Sequence, residues 1–249
     1  MSNDTKEDVI DHYAFPINSS SRISGIDANM VYSIELPPNH KFNRVVVNNA
    51  AIPRSDYIVQ NGYNTFQLQE AKGTVTITVP PGNYTRSSFQ KALQAILIAN
   101  SPGGLTYAIT YPATAAAADT GLYTYTVTGG TASFIIGTSL YEQMGFNKNV
   151  TVTLPATSTN VIKMIQEDTL VLHSNIVDSF NKDILCVFVA GTDPPFSTTR
   201  YECRDVKMNA RKLKKVDSNS YEFRLTDENG IIIDLNGLNW TCELIFFTA

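Results

Sequence analysis

The sequence has little charge. Charged residues make up 17% of its 249 residues, against about 25% in a typical globular chain. Much of the polar surface must therefore consist of neutral amides and hydroxyls, which cost less than charges to bury in an interface. This composition is typical of surfaces that assemble, although Thr and Tyr also favour plain β-sheet. The formal net charge of -4 argues against a chain that binds nucleic acid over its whole surface, since such proteins are basic.

Cysteine and histidine are also scarce, with three of each. The cysteines are widely spaced, which argues against a disulfide framework or a zinc knuckle. His12, His40 and His173 share no ligand spacing with one another or with a cysteine. The sequence motifs of serine hydrolases, zinc proteases, P-loop NTPases and dinucleotide-binding folds are absent. We therefore expect no catalytic residue, no metal site and no cofactor.

Long apolar stretches are missing as well. No run approaches the roughly 20 residues of a membrane-spanning helix, and Met1–Asp11 is polar and acidic. We therefore expect no signal peptide, and synthesis in the reducing cytoplasm of a cell. Residues 1–28 are rich in polar side chains, with isolated apolar positions. This composition predicts an extended arm rather than a packed element.

What the sequence does contain is many short stretches of alternating apolar and polar residues, separated by Pro, Gly and Asn. An alternation of period two predicts strands, and many short strands with turn signals predict a β-sandwich or a barrel. The most apolar strands should supply one sandwich core. We expect that core to include Val45, Val47, Ile77, Val187 and Trp240.

One helix interrupts this pattern. Phe89, Leu93 and Leu97 fall on one face at helical spacing, which predicts a helix from about Ser87 to Ala99 that packs on a sheet. Ser87 and Gln90 match the spacing of a capping box.

Five basic residues lie close together in the sequence and form what we call the basic cluster. It consists of Lys207, Arg211, Lys212, Lys214 and Lys215. A solvated face is the usual explanation for such a run, and contact with nucleic acid or an acidic partner is the functional alternative. No aromatic residue lies within Val206–Val216, which argues against stacking on bases.

Two further groups of residues invite a ligand-binding interpretation. The loop Asp227-Glu228-Asn229 offers oxygen ligands, but it lacks the alternation and the distal carboxylate of a calcium loop. Four tyrosines could stack on sugars in a carbohydrate-binding protein, or they could simply lie on a sheet face. They are Tyr107, Tyr111, Tyr123 and Tyr125.

Four segments, in this order along the chain, resemble the penton (vertex) capsid proteins of virophages and polinton-like viruses, in the PRD1–adenovirus capsid lineage. They are Ile17–Arg22 with Gly25 just after, Val45–Val47 continuing through Ala51–Tyr57 to Phe66, Val79–Thr85 leading into Phe89 and Leu93, and Leu235–Trp240. The tripeptide Met144-Gly145-Phe146 also fits a small motif of that family.

The resemblance implies an all-β, single jelly-roll β-sandwich with an extended N-terminal arm and one short helix. The arm would be residues 1–28 and the jelly-roll domain 29–249, with loop insertions near 102–131 and 191–220. The function implied is that of a structural, non-enzymatic penton protein. It would form pentamers that close the fivefold vertices of an icosahedral capsid, beside a double jelly-roll major capsid protein.

The same resemblance implies a place in the virion, at the capsid vertex, after synthesis in the host cell cytoplasm. It implies no small-molecule substrate and no cofactor. The candidate assembly contacts are Arg22 in the arm and the basic cluster (Lys207, Arg211, Lys212, Lys214 and Lys215), through which encapsidated DNA is a further possible partner.

Two alternatives of other classes stay open at this point. One is a receptor- or carbohydrate-binding β-sandwich, such as a fibre or lectin-like head. Exposed tyrosine side chains would support this alternative. The other is a β-fold enzyme whose site is scattered over loops. The mass of the oligomer distinguishes both from a pentameric capsid protein.

Overall fold

The computed structural model describes residues 12–37, 41–111, 118–166, 168–178, 183–191, 193–214 and 219–248. These residues are mostly in strands. The strands are β1 (His12–Asn18), β2 (Ser24–Ile26), β3 (Asn29–Ser33), β4 (Arg44–Pro53), β5 (Thr65–Glu70), β6 (Gly73–Thr78), β7 (Thr106–Thr110), β8 (Thr124–Thr128), β9 (Ala132–Ile136), β10 (Val150–Thr153), β11 (Ala156–Thr157), β12 (Thr169–Ser174), β13 (Ile184–Val189), β14 (Thr198–Glu202), β15 (Arg211–Lys212), β16 (Ser220–Thr226) and β17 (Thr241–Phe247). The helices are α1 (Arg86–Ala99), α2 (Tyr141–Met144) and α3 (Val206–Asn209), with a 3-10 turn at Ser19–Ser21.

The chain divides into two compact units. Unit 1 consists of Met1–Asp56 and Glu167–Ala249, and unit 2 of Tyr57–Gln166. In sequence, unit 2 is therefore a long insertion between β4 and β12. This division differs from the predicted one, which placed a single domain over residues 29–249 with shorter loop insertions.

Unit 1 is a ladder of antiparallel strand pairs. Apart from the short β2 and β15, its eight strands in chain order are β1, β3, β4, β12, β13, β14, β16 and β17. The first pairs with the last, the second with the seventh, the third with the sixth and the fourth with the fifth. Further pairings join these ladders into two sheets, β1-β17-β4-β14 and β13-β12-β16-β3-β2. This pairing is that of an eight-stranded jelly roll, so the predicted all-β jelly-roll class is confirmed.

The two sheets of unit 1 enclose one apolar core. Val45 and Val47 of β4 are almost fully buried, as is Trp240 just before β17, and all three belong to the same core cluster. These three predictions are correct. Ile77 is also buried, but it belongs to the separate core of unit 2. The predicted burial of Ile77 is therefore correct, but its predicted place in the same core as Val45 is wrong.

Val187 is the wrong core prediction, because its side chain is 44% exposed. It lies on β13, which forms the edge of its sheet. Along this strand Cys186 and Phe188 are buried in the core, whereas Val187 and Val189, which alternate with them, are exposed. An apolar run on an edge strand does not reveal which face is buried, because the alternation of side chains decides it.

The segment expected to be an unpacked arm is part of the sandwich from residue 12 onward. β1 pairs with β17 from His12↔Phe247 to Asn18↔Thr241, and β2 pairs with β3. Tyr13 and Phe15 pack against the core, and Ile17 is fully buried in it. These three residues alternate along β1, and this period-two pattern outweighs the polar composition of the surrounding residues. Residues 1–11 of the predicted arm lie outside the described residues.

The stretch 191–220, expected to be a loop insertion, supplies one edge of a sheet. β14 pairs with the C-terminal half of β4, and β15 pairs with its N-terminal end. Thr199 is 2% exposed, and the ring of Tyr201 packs edge-on against that of Phe188 at 5.2 Å. Between β14 and β15, α3 and its flanking turns connect the two strands along this edge. Residues 192 and 215–218 lie outside the described residues.

Unit 2 contains two sheets, β10-β9-β5-β6 and β11-β8-β7. Residues 102–131, also expected to be a loop insertion, contain β7 and β8. Their side chains Tyr107, Ile109 and Tyr125 are buried in the core of this unit. Residues 112–117 lie outside the described residues.

Helix α1 follows the prediction on its apolar face, since Phe89, Leu93 and Leu97 are buried. Its N-terminal cap differs from the predicted one. Thr85 is the N-cap and forms a reciprocal capping box with Ser88, so Ser87 and Gln90 are not used for capping.

Gln90 has another partner, the edge strand β7. The Gln90 side chain donates to the carbonyl oxygen of Ile109 at 2.6 Å, and the N–H of Ile109 donates to the Gln94 side chain at 3.0 Å. Two amide side chains thus take the place of a neighbouring strand. This protects the edge from pairing with another chain.

Candidate assembly surfaces

Three of the four segments that resemble penton proteins meet at one end of unit 1. β1 and β4 finish there and β17 begins. We call this region the loop junction, made of residues 18–27, 54–56 and 234–240. The N–H of Ser19 donates to the carbonyl oxygen of Trp240, and its hydroxyl both accepts from the N–H of Trp240 and donates to Asn239. The first and last segments are therefore joined by one serine.

Hydrogen bonds of Trp240 and Ser55 connect the remaining segments of the loop junction. Its ring is 1% exposed, and its indole N–H donates to the carbonyl oxygen of Asp27 at 2.7 Å. The Ser55 hydroxyl donates to the carbonyl oxygen of Leu235 at 2.6 Å, and the Asn236 side chain donates back to the carbonyl oxygen of Ser55. The quoted segments are thus structural connections of the jelly roll.

The same junction buries two charged side chains. Arg54 and Asp56 are each 2% exposed, and the Arg54 Nε lies 3.9 Å from Asp56 Oδ1. Burial raises the pKa of Asp56, and the neighbouring guanidinium of Arg54 opposes this shift only in part. A buried pair of this kind is a poor source of stability, but removing one partner leaves an uncompensated charge.

An open cavity of about 670 Å³ lies beside the loop junction, with Arg22, Ile26, Asp27, Ile232 and Asp234 in its lining. Within the described part of the chain, Asp27 Oδ2 is buried and has no hydrogen-bond partner. Asp234 is exposed, and its Oδ1 accepts the N–H of Asn236. The cavity therefore carries two carboxylates and one guanidinium beside the apolar side chains of Ile26 and Ile232.

Arg22, predicted as an assembly contact, binds its own loop. Its guanidinium donates to the carbonyl oxygens of Ser19 at 2.8 Å and Gly25 at 3.1 Å. Gly25 has a φ of 90°, and a Cβ there would lie 2.2 Å from the carbonyl oxygen of Asn29. Glycine is therefore required at this turn. Arg22 lies at the wall of the cavity, where a partner could still reach it.

The basic cluster is brought together on the opposite edge of the same sheet, formed by β14, α3 and β15. Lys207, Lys212 and Lys214 are exposed and Arg211 is half-buried, whereas Lys215 lies outside the described residues. Lys212 forms an exposed ion pair with Asp178 at 3.7 Å, which contributes little to stability. The structure thus groups the predicted lysines and places Arg22 far from them across the sheet.

Exposed apolar side chains accompany both edges, and sequence reasoning missed them. Met208, inside the basic cluster, is 84% exposed, and Val189 on the edge strand β13 is 75% exposed. On the cavity side, Ile23 and Ile26 are 60% and 55% exposed. The sequence signal for the exposure of Met208 was its position between a charged and a polar residue, in Lys207-Met208-Asn209.

The tyrosines do not form a sugar-binding platform. Tyr107, Tyr123 and Tyr125 are at most 1% exposed, and Tyr111 donates its hydroxyl proton to Asp119 at 2.7 Å. Stacking on a sugar needs an exposed ring face, so the observation that favoured a lectin-like protein is lost.

The other sequence candidates have structural roles. The Asp227 carboxylate accepts the backbone N–H groups of Asn229 and Ile231, so it shapes the loop after β16. His173 is hydrogen-bonded to Thr226 at 3.1 Å. His40 lies outside the described residues. Among the residues described, His, Cys, Asp and Glu form no group of three or more that could hold a metal ion.

The three cysteines are free. Burial raises the pKa of Cys186 to about 11, so this thiol stays protonated at neutral pH. A buried, protonated thiol is a weak nucleophile. No described helix has the length and hydropathy needed to cross a membrane.

Comparison with known proteins gives a likeness over most of both chains. No protein-family model and no curated protein matches the sequence. Among solved structures, the chain is similar to the mavirus penton protein, with 9% identity and a TM-score of 0.43, over 96% of this chain and 99% of that one. The mavirus protein is a virophage penton protein. A second similarity, to the flagellar cap protein FliD of Escherichia coli, has 10% identity and a TM-score of 0.18, over 93% of this chain and 56% of that one.

Proposed function

We propose that the chain is a structural, non-enzymatic penton protein of an icosahedral viral capsid. In this proposal it forms a homo-pentamer that closes the fivefold vertices beside a double jelly-roll major capsid protein. Its location is the capsid vertex of the virion, after synthesis in the host cell cytoplasm.

The observation that carries the proposal is the strand pairing of unit 1, an eight-stranded jelly roll of the kind found in viral capsid and lectin domains. The segments that resemble penton proteins favour a capsid protein among the proteins with this fold, because three of the four segments meet at the loop junction. The lectin alternative loses its support with the burial of the tyrosines. The enzyme alternative gains none, since Asp227 and His173 have structural partners, two backbone N–H groups for Asp227 and the Thr226 hydroxyl for His173.

The mass of the oligomer tests this function. Native mass spectrometry of the purified protein is expected to show five copies of the 27.4 kDa chain. Mixing with the major capsid protein should give shells that retain the pentamer. A monomer at every attainable concentration, with saturable binding to one glycan, would support the lectin-like alternative instead.

The basic cluster provides a second test, directed at an acidic partner or encapsidated DNA. Replacing Lys212, Lys214 and Lys215 with Ser should change the free energy of unfolding by less than about 0.5 kcal/mol, since Lys212 and Lys214 are exposed and surface substitutions have small effects. It should weaken binding to DNA or to the shell, and more so at low salt, where charges are less screened.

A matched control removes the same charge from unit 2, through Ser at Lys72, Lys91 and Lys148, all exposed. Binding is measured by fluorescence anisotropy with labelled duplex DNA and by co-sedimentation with shells. An equal loss of binding in both triple variants would mean that net charge, and not the basic cluster, determines association.

A further inference from the structure

We propose that neighbouring copies join head to tail through α3. In this contact Lys207 and Met208 of one copy enter the cavity beside the loop junction of the next copy, between Ile26, Asp27, Ile232 and Asp234. The inference rests on the proposed function in one respect, since it assigns the surfaces on which a ring of this protein would close.

The first argument is the position of the two surfaces. α3 projects from the edge formed by β14 and β15, both of which pair with β4 on the side away from β17. The cavity is lined by residues just after β1 and by Ile26 of β2, and these two strands form the other edge of each sheet. Ring contacts across the core show which edges of the two sheets lie on the same side of the sandwich. Phe188 of β13 contacts Tyr201 of β14 on one side, and Phe15 of β1 contacts Tyr32 of β3 on the other.

Surfaces on opposite edges cannot bind each other within one molecule, nor in a two-fold dimer that buries the same patch twice. They form a heterologous contact, which closes into a ring when the rotation between copies divides a full turn evenly. A pentamer is one such ring.

The second argument is the shape and chemistry of α3. The Asp205 side chain accepts the N–H of Met208 at 2.9 Å, and the Asn209 side chain donates to the Asp205 carbonyl oxygen at 2.8 Å. These bonds fix the short helix although it projects from the sheet. Met208 is nevertheless 84% exposed, and Lys207 forms no salt bridge with any described residue. A flexible thioether in this position is suited to fill an apolar gap in a partner.

The third argument is that the cavity complements α3. Ile26 and Ile232 leave apolar surface exposed, 55% and 37% of each residue, and can contact the methionine. Asp27 and Asp234 outnumber the single cation Arg22, whose guanidinium is held by two carbonyl oxygens. Asp234 is exposed in the cavity lining, so its carboxylate can pair with a lysine that enters the cavity. The volume of about 670 Å³ lies within the range of roughly 300–1,000 Å³ typical of occupied pockets.

The α3 tip alone is too small for a stable interface, which needs about 800 Å² on each partner. The flanking exposed side chains extend the contact on both edges. Val187 and Val189 lie on the edge of the second sheet beside β14, and Ile23 and Leu238 flank the cavity. Exposed apolar side chains therefore extend the contact surface around α3 on one edge and around the cavity on the other.

Charge exchange tests the contact. Lys207→Glu and Asp234→Lys should each raise the concentration at which half of the chains are pentameric by about tenfold or more, as expected when a close charge pair is reversed. A chain with both substitutions should return to within about threefold of the unmodified protein, because the two exchanged charges again attract each other across the contact between neighbouring copies.

Apolar and covalent variants complete the experiment. Met208→Asp should abolish the pentamer, whereas Ile165→Asp, at a site in unit 2 that is 59% exposed, should leave it intact. Two variants are mixed, one carrying Met208→Cys and the other Ile26→Cys, and both also carry Cys203→Ser. A disulfide should form between the two variants, but not between two copies of the same variant. Thermal denaturation verifies that every variant is folded.

The outcomes separate this contact from the proposed function. If the unmodified protein is pentameric and none of the variants changes its mass distribution or cross-links, the α3 contact is wrong and the penton function stands. If the cross-link forms and charge exchange is reciprocal in an oligomer that is not a pentamer, the contact stands and the proposed stoichiometry is wrong. Absence of both oligomer and cross-link overturns the contact.

Discussion

Replacing Trp240 with Ala is expected to lower the free energy of unfolding of unit 1 by about 3–5 kcal/mol, the usual effect of deleting a large buried aromatic side chain. The ring is 1% exposed in the core between the two sheets. Its removal opens a cavity and leaves the carbonyl oxygen of Asp27 without the indole N–H that it accepts at 2.7 Å. Because proteins are stable by only about 5–15 kcal/mol, much of the stability of this unit should be lost.

The measurement is urea denaturation followed by circular dichroism, since Trp240 is the sole tryptophan and its fluorescence disappears with it. Trp240→Phe keeps most of the ring volume and should cost less than the alanine variant. Leu238→Ala, two residues away and 51% exposed, is the control and should be nearly neutral. If Trp240→Ala unfolds at the same urea concentration as Leu238→Ala, Trp240 does not hold the loop junction together.

Much of the fold could be predicted from local patterns. The apolar run of β4, the alternation of β17 and the apolar face of α1 predict elements that the structure contains, because each pattern reflects which side chains are buried. The alternation of Tyr13, Phe15 and Ile17 on β1 was equally local, but the surrounding polar residues concealed it. Composition averaged over a segment is therefore a poorer guide than the period of its apolar positions.

The division into two units could not be predicted in the same way. The β4–β14 and β4–β17 ladders join strands that are separated in sequence by all 110 residues of unit 2, Tyr57–Gln166. Strand pairing at such separation depends on the whole fold, and no local signal records it. The same limit applies to Ile77, which looked equivalent to Val45 in sequence but belongs to another core.

A candidate surface could be predicted when its residues lie close together in the sequence, and not when they come from distant segments. The basic cluster lies within nine consecutive positions and was visible at once. The cavity is built from two segments more than 200 residues apart, around Asp27 and Asp234, and no motif connects them. Arg22 was selected for its charge, but the carbonyl oxygens that hold it are backbone groups that sequence does not display.

Unit 2 has a buried carboxylate whose charge should stabilise it. Glu70, at the end of β5, is 7% exposed. It accepts hydrogen bonds from the hydroxyl groups of Tyr107 at 2.5 Å and Ser101 at 2.7 Å, and from the N–H of Gly103 at 2.5 Å. Burial by itself would raise the pKa of Glu70, but these bonds, with Lys72 nearby, outweigh it and hold the pKa below its ordinary value.

The sign of the pH dependence follows from this lowered pKa. The unfolded chain binds a proton at Glu70 near the ordinary pKa of 4.5, and the folded chain only at lower pH. Above pH 4.5 the ionised carboxylate therefore contributes its full stability to the folded state. As the pH falls from there through the folded pKa, that contribution is lost.

Glu70→Gln should accordingly lower the free energy of unfolding of unit 2 at pH 7 by about 1.5–3 kcal/mol, the range for a hydrogen bond to a charged group. The difference between the variant and the unmodified protein should shrink as the pH falls below 4.5, because protonation removes the same charge. Urea denaturation followed by the near-ultraviolet dichroism of the buried tyrosines measures this at each pH. The control is Glu142→Gln, which removes an ion pair with Lys163 that is only partly buried and should cost at most about 1 kcal/mol. A Glu70→Gln difference that stays constant, or grows, on acidification would show that the carboxylate acts through packing and not through its charge.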